Sequence, residues 1–138
     1  MQQHNSQISI YKGETVSSLA LAQNIAKIQV VFPKLDKLFF AVLTERLLLN
    51  NFTEQRLIDA AGYLIDNFKY QTPTIADVIS FDKKIKLWSY EDVCEAVSQN
   101  KTSFESFYKH WVGDTLYRVK KSEADTFGLA KYLNNEKK

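Results

Sequence analysis

Apolar residues recur every three or four positions from residue 15 to residue 80, the spacing of one face of an α-helix. This pattern predicts a first helix from about Thr15 to Val31, with Thr15 as its N-cap. The helix should stop at Phe32 because a residue before proline avoids the helical conformation. Its expected core face comprises Val16, Leu19, Ala22 or Gln23, Ala26 and Val30.

Three more helices follow in the same stretch. The second is predicted from Pro33, which suits a first helical turn, to the turn pair Asn50–Asn51. The third begins after Thr53 as N-cap and contains Gly62, which we interpret as a point of close helix approach. A short fourth helix has Thr72 as its cap and Pro73 in its first turn. The expected apolar face of the second helix is Leu35, Leu38, Phe39, Val42, Leu43, Leu47 and Leu48, and that of the third is Leu57, Ile58, Ala61, Leu64, Ile65 and Phe68.

After residue 82 the pattern changes from helical to mixed. Ser89 and Asp92 have the spacing of a capping box and predict a fifth helix to about Gln99. From Phe104 onward helical and strand spacing both fit, but two β-branched and aromatic arms around Gly113–Asp114 favour a hairpin. The two-residue turn predicts three facing pairs, Val112 with Thr115, His110 with Tyr117, and Tyr108 with Val119. After the hairpin we predict a short last helix at 122–133.

These elements predict a mainly α fold. We expect a small helical bundle of four to five helices with a C-terminal β-hairpin and a short terminal helix. The polar, Gln-, Asn- and Ser-rich start predicts a flexible arm at 1–13. The rest divides into an N-terminal helical bundle at 14–82 and a helix plus β-hairpin subdomain at 83–138, which either stands alone or packs on the first.

Composition removes several classes of protein. The 138 residues carry a net charge of only +2, which does not by itself call for nucleic acid or an anionic membrane as partner. Two His and one Cys are too few for a structural zinc site of about four ligands, so no metal is expected. The lone Cys cannot form an internal disulfide, and no apolar run reaches the roughly 18 residues of a membrane span. We therefore expect a cytoplasmic protein without a membrane segment.

The sequence also lacks the motifs of common enzymes. It contains neither a G-x-S-x-G nucleophile elbow nor a phosphate-binding G-x-x-x-x-G-K-[ST] or G-x-G-x-x-G loop. Cys94 has acidic neighbours, Asp92 and Glu95, which would raise the pKa of its thiol rather than activate it. The prediction is a non-enzymatic protein with no catalytic residue and no cofactor.

Two short elements carry a family resemblance. The first ends one helix and starts the next, and consists of Val31, Phe32, Pro33, Lys34 and Leu35. After two amphipathic helices comes the second, Pro73, Thr74, Ile75, Ala76 and Asp77. This order, between Ile25 and Ser80, resembles the small phage-type replicative helicase loader and inhibitor family. The resemblance implies an accessory factor of phage or mobile-element DNA replication, without ATPase activity, that binds the ring-shaped helicase and either loads it or holds it inactive.

The residues that suggest binding are basic and aromatic together. They form two segments, Lys83, Lys84, Lys86 and Trp88, and Arg118, Lys120 and Lys121. A helix followed by a basic hairpin is typical of a winged-helix DNA-binding module, and a small DNA-binding regulator is the alternative function. The opposing interpretation is that these lysines only keep a hairpin edge soluble, with the nearby Glu91 and Asp92 repelling phosphate. A third hypothesis is a structural or oligomerisation domain, with Phe107 and Trp111 in an apolar patch for a partner protein or a second copy.

Overall fold

The computed structural model describes residues 6–69 and 71–136. Short 3₁₀ turns at Phe104–Ser106 and Ala130–Tyr132 supplement the regular elements. The strands and α-helices, in chain order, are β1 (Gln7–Ser9), α1 (Ser18–Val31), α2 (Lys37–Leu49), α3 (Glu54–Asn67), α4 (Ile75–Ile79), β2 (Lys84–Lys86), α5 (Tyr90–Ser98), β3 (Phe107–Val112), β4 (Thr115–Lys120) and α6 (Lys121–Thr126).

The predicted mainly α bundle is wrong, because the fold is mixed α/β. Over the described residues six helices accompany two small antiparallel sheets, β1 with β2 and β3 with β4. The first sheet pairs Gln7 with Lys86 and Ser9 with Lys84. Its strands are three residues long and far apart in the chain, so neither shows enough alternation to be recognised from sequence.

The start of the chain is where the flexible arm was predicted. Residues 1–5 of that arm lie outside the described residues, but Gln7–Ser9 forms β1 instead of a loose segment. The Leu87 N–H donates to the carbonyl of Ser6 at 2.8 Å and extends this pairing. Ile8 and Ile10 are half-buried and pack on an apolar cluster, and this burial holds the segment in place.

The chain divides into two compact units, between Lys12 and Gly13 and again between Asp82 and Lys83. We call Gly13–Asp82 the helical unit, which contains α1 to α4. We call the described residues up to Lys12 and from Lys83 onward the sheet unit, which contains the strands, α5 and α6. Of the helices described in these units, none has the combined length and apolar character needed to cross a bilayer.

The helical unit buries a different face of α1 from the one predicted. Leu19 and Val30, both expected in the core, are 70% and 81% exposed. The helix also begins later than predicted, since the Ser17 hydroxyl accepts from the Ala20 N–H at 3.2 Å. Apolar side chains lie on two faces of α1, so their spacing alone does not choose between them. The buried residues of α1 are Ala20, Leu21, Asn24 and Ile28.

Two further helix starts differ from prediction. α2 begins after Asp36, whose carboxylate accepts from the Phe39 N–H at 2.9 Å, and not at Pro33. α4 is capped by Thr74, not Thr72, because Asp77 three residues later completes a reciprocal capping box. The α3 start at Thr53 is confirmed. The α2 residues Leu38, Val42 and Leu48 are exposed, and buried positions are Phe40, Leu43 and Leu47.

The hairpin of the sheet unit is confirmed in position and register. β3 and β4 pair with Val112 opposite Thr115 and Tyr108 opposite Val119, as the two-residue turn predicts. Gly113 has a φ of 60°, the left-handed conformation that this turn requires. The predicted last helix is shorter than expected, since Gly128 with φ 65° separates α6 from the final 3₁₀ turn. The buried cluster comprises Ile85, Leu87, Val119, Ala124 and Leu129.

Candidate functional site

Two short backbone hydrogen bonds join the chain after β2 to strand β4. The N–H of Trp88 donates to the carbonyl of Arg118 at 2.7 Å, and the N–H of Arg118 donates back at 2.8 Å. The two residues form an isolated antiparallel bridge. Paired residues in a bridge direct their side chains to the same side of a sheet. Trp88 and Arg118 therefore share one face.

Alternation along the strands divides the sheet unit into two faces. Ile85, Leu87 and Val119 alternate with the bridge residues and lie in the buried cluster. The opposite side is the basic-aromatic face, which contains Lys86, Trp88, Phe107, Arg118 and Lys120. This arrangement brings the two basic segments of the sequence together, although they lie some thirty residues apart in the chain.

Trp88 lies at the centre of this face. The Nζ atoms of Lys86 and Lys120 are 4.1 Å and 4.8 Å from the centroid of its ring. The ring of Phe107 packs against it edge-on, with centroids 5.2 Å apart. An ammonium group over an indole is attracted by about 0.5–1 kcal/mol at exposed sites. Trp88 thus attracts both lysines weakly, while its buried Nε1 has no hydrogen-bond partner within 6–69 and 71–136.

A second pair of rings continues the face beyond Arg118. The Arg118 Cζ lies 5.5 Å from the ring centroid of Tyr90, the first residue of α5. Tyr90 and Phe104 are 60% and 42% exposed, and their ring centroids are 6.0 Å apart with planes inclined by 32°. A side-chain hydrogen bond with Cys94 raises the pKa of the Tyr90 hydroxyl, which at a tyrosine's usual pKa of about 10 is already neutral near pH 7.

The carboxylate of Asp92 lies beside Lys86, one of the cations of this face. It accepts from the Ser89 N–H at 3.1 Å, while the Ser89 hydroxyl accepts from the Asp92 N–H at 3.1 Å, which confirms the predicted capping box. The Lys86 Nζ lies 4.0 Å from the same carboxylate, and both side chains are partly exposed. A partly exposed pair of this kind contributes at most about 1 kcal/mol to stability, and the Asp92 carboxylate lowers the net positive charge of the face by one.

The other predicted site residues lie further from Trp88. Lys84 is exposed on the same face of β2, and Lys83 precedes that strand. Trp111 shares the face with Phe107 but is four residues along β3, roughly 13 Å away at the usual rise of a strand. Lys121 is on the other side, with its Nζ 5.4 Å from the ring centroid of Tyr108. The structure therefore gathers part of the predicted set and separates Lys121 from it.

The residues that carry the family resemblance have local structural roles. Phe32 is buried in the core of the helical unit, whereas Pro33 is exposed in the turn before α2. Pro73 is buried just before the cap of α4, and Thr74 and Asp77 form its capping box. Ile75 packs on the helical core, and Ala76 is exposed. Apart from the exposed Pro33 and Ala76, these residues stabilise the helical unit, either by packing in its core or by capping α4.

Sequence reasoning assigned neither Tyr90 nor Phe104 to the basic-aromatic face. Tyr90 is the first residue of α5, directly after the capping Ser89, and its side chain is exposed. A large aromatic residue at such a position is a usable signal. The pairing of Tyr90 with Phe104 and Arg118 depends on the bridge between distant segments and has no counterpart in local sequence.

The part of the chain that the structure describes contains no group of three His, Cys, Asp or Glu side chains arranged to hold a metal ion. Cys94 is half-buried in α5 and forms no disulfide.

Comparison with known proteins gives no match to a family model, to a curated protein or to a solved structure.

Proposed function

We propose that this protein is a non-enzymatic nucleic-acid-binding protein that contacts its ligand through the basic-aromatic face. The observation that carries the proposal is the position of Lys86 and Lys120, both held over the ring of Trp88 beside Arg118. Three cations and several rings on one side of a sheet match the two parts of a nucleotide, its phosphate and its base.

The convergence of these charges argues against a purely solubilising role. Lysines that only protect an edge strand need no common orientation. Here the two ammonium groups share one aromatic ring despite their mutual repulsion, which the Asp92 carboxylate, 4.0 Å from the Lys86 Nζ, offsets in part. The repulsion that remains costs free energy. A phosphate between Lys86 and Lys120 would remove that cost. The attraction of both ammonium groups to the ring also reduces the side-chain entropy lost on binding.

The experiment is a salt titration of binding, using fluorescence anisotropy with labelled oligonucleotides. The full chain should bind with an affinity that falls linearly in a plot of log affinity against log salt, because each phosphate contact releases counterions. The double variant Lys86→Ala/Lys120→Ala should bind more weakly, with a slope smaller by roughly 1.4–1.8 for two lost contacts. The matched control, Lys27→Ala/Lys34→Ala, removes two exposed charges from the helical unit and should leave the slope unchanged.

Two results would contradict the proposal. One is the lack of salt-dependent binding to any single strand or duplex at micromolar protein. The other is an equal loss in the control variant, because binding would then follow total charge and not the basic-aromatic face.

Helicase docking, the function implied by the family resemblance, stays a prediction. Its sharpest element, Pro73 to Asp77, contains the exposed Ala76 on α4, which is accessible to a partner. We expect the protein to co-elute with the replicative helicase of its host. Ala76→Arg should abolish co-elution, whereas the control Ala22→Arg, at an exposed position of α1, should not. Failure to co-elute at micromolar concentration would count against this function and would leave the nucleic-acid proposal untouched.

A further inference from the structure

The basic-aromatic face contains two kinds of ring, and they differ in what they leave open. Trp88 is covered by Lys86 and Lys120 and is contacted edge-on by Phe107. Tyr90 and Phe104 are exposed and adjacent, with their planes 32° apart. The second pair is the more exposed of the two and offers more aromatic surface to a flat ligand, although the Arg118 guanidinium lies over one side of Tyr90.

We propose that the Tyr90–Phe104 pair is a base-stacking platform and that the ligand of this protein is single-stranded nucleic acid, an inference that rests on the proposed nucleic-acid function. Stacking on aromatic side chains requires a base whose face is free. In a duplex each base face is covered by its neighbours along the strand, so exposed rings gain nothing from it except at its ends. In an unpaired strand a base can unstack from its neighbours and present a free face without breaking a base pair.

Arg118 lies at the junction between the platform and the lysines. Its guanidinium carbon is 5.5 Å from the Tyr90 ring centroid, and its backbone is tied to Trp88 by two hydrogen bonds. The phosphate of a base stacked on Tyr90 is one sugar away from that base, and Arg118 supplies a cation beside the ring. The backbone of the strand then continues toward Lys120, which lies two residues along β4 from Arg118.

The local structure keeps both rings in position. Tyr90 starts α5 immediately after Ser89, whose capping box with Asp92 orders the first turn. Phe104 begins the 3₁₀ turn Phe104–Ser106 that leads into β3. A tyrosine hydroxyl has a pKa of about 10 and is neutral at physiological pH, so Tyr90 does not repel phosphate. The platform is therefore built before any ligand arrives.

This division assigns different roles to the two aromatic groups. Tyr90 and Phe104 touch the bases, and Trp88 is a positioning residue that aims two lysines at the backbone. Loss of a stacking ring should weaken binding without changing its salt dependence, because the ring carries no charge. Loss of a lysine should change both.

The test uses the full chain with three labelled probes: an oligothymidylate of about 12 nucleotides, its RNA counterpart and a duplex of about the same length. Tyr90→Leu and Phe104→Leu keep apolar bulk but remove the ring. Each should weaken single-strand binding by roughly fivefold to a hundredfold, with an unchanged salt slope and unchanged duplex binding. Phe127→Leu, which removes an exposed ring outside the platform, is the matched control and should bind as the parent does.

The outcomes separate this inference from the proposed function. If Tyr90→Leu and Phe104→Leu bind single strands as well as the parent does, with the salt slope intact, stacking is overturned while nucleic-acid binding stands. Equal losses on duplex and single strand would overturn the single-strand assignment in the same way. Absence of binding to all three probes would overturn the proposed function itself. The DNA and RNA probes share their stacking faces, and their difference reports contacts to the 2′-hydroxyl.

Discussion

Trp88 and Arg118 exchange both of their backbone hydrogen bonds, at 2.7 Å and 2.8 Å, although thirty residues separate them in the chain. This bridge lies outside the regular strands and joins the segment after β2 to β4. It places an indole, a guanidinium and two flanking ammonium groups on one side of the sheet unit. These side chains come from separate segments and together form a surface suited to a ligand that is both anionic and aromatic.

Neutralising Asp92 should strengthen nucleic-acid binding. In Asp92→Asn the side-chain oxygen can still accept from the Ser89 N–H, while Lys86 loses the carboxylate that lies 4.0 Å from its Nζ. Affinity should rise by up to about fivefold, the equivalent of the 1 kcal/mol that such a pair contributes at most. The measurement is anisotropy at low salt. Glu45→Gln, which removes an exposed charge from the helical unit, is the control, and an equal rise there would refute a local effect.

Gly62→Ala should stabilise the protein, contrary to our sequence-based interpretation of this glycine as a close-approach site. A methyl group built at Gly62 meets nothing within 4 Å. Alanine in a helix interior is favoured over glycine by about 1 kcal/mol, so the urea midpoint of the helical signal should rise. Gly113→Ala is the contrasting variant. Its φ of 60° disfavours any side chain and should lower stability by about 1–2 kcal/mol. A destabilised Gly62→Ala would show that the helix has no room there.

Arg56→Met should destabilise the helical unit. The Arg56 side chain donates to the carbonyls of Phe81 at 2.8 Å and Ile79 at 3.1 Å, and its Cζ lies 4.0 Å from the Phe52 ring centroid. Methionine keeps the apolar stem but leaves both carbonyls without this donor, at a cost of about 2 kcal/mol. Urea unfolding measures the loss. Arg46→Met, on the exposed side of α2, should cost less than about 1 kcal/mol, and similar losses in both variants would contradict the role of these bonds.

Stability should fall on acidification through His110. Partial burial, and then the charge of Lys12, lower the pKa of this imidazole, and its Nδ1 accepts from the Asn134 N–H at 3.0 Å. The fold therefore favours the neutral ring. The stabilisation is fully present above the unfolded pKa of about 6.5 and is lost as the pH falls through the lower folded pKa.

Urea unfolding of the parent and of His110→Gln, from about pH 8 down to about pH 4.5, measures this contribution. The parent should lose more stability than the variant over the acidic part of that range, because only the parent gains a proton there on unfolding. Parallel pH profiles would show that His110 does not titrate differently in the two states.

Local signals in the sequence were sufficient for several elements. Ser89 and Asp92 predicted a capping box, and Gly113–Asp114 predicted a two-residue hairpin with its register. Thr53 likewise predicted the start of α3. In each case the residues that decide the structure are within a few positions of one another, so their geometry follows from the chain itself.

Competing local signals produced the errors in helix starts. Thr72–Pro73 and Thr74–Asp77 both have the form of a helix start, and the second prevails because Asp77 returns a hydrogen bond to the Thr74 N–H at 2.7 Å. Asp36 similarly prevails over Pro33 by accepting from the Phe39 N–H. A proline permits a first turn, whereas a capping carboxylate stabilises one.

The sequence by itself determined the approximate positions of the helices, the hairpin with its register, and the presence of basic and aromatic residues in two separate segments. Only the tertiary structure decided which face of α1 is buried, how the start of the chain pairs with Lys84–Lys86, and that Lys86 and Lys120 meet over Trp88. The former depend on hydrogen bonds and side-chain spacing within a few residues. The latter depend on contacts between segments far apart in the chain, where apolar burial and strand pairing select one arrangement among several that the local pattern permits.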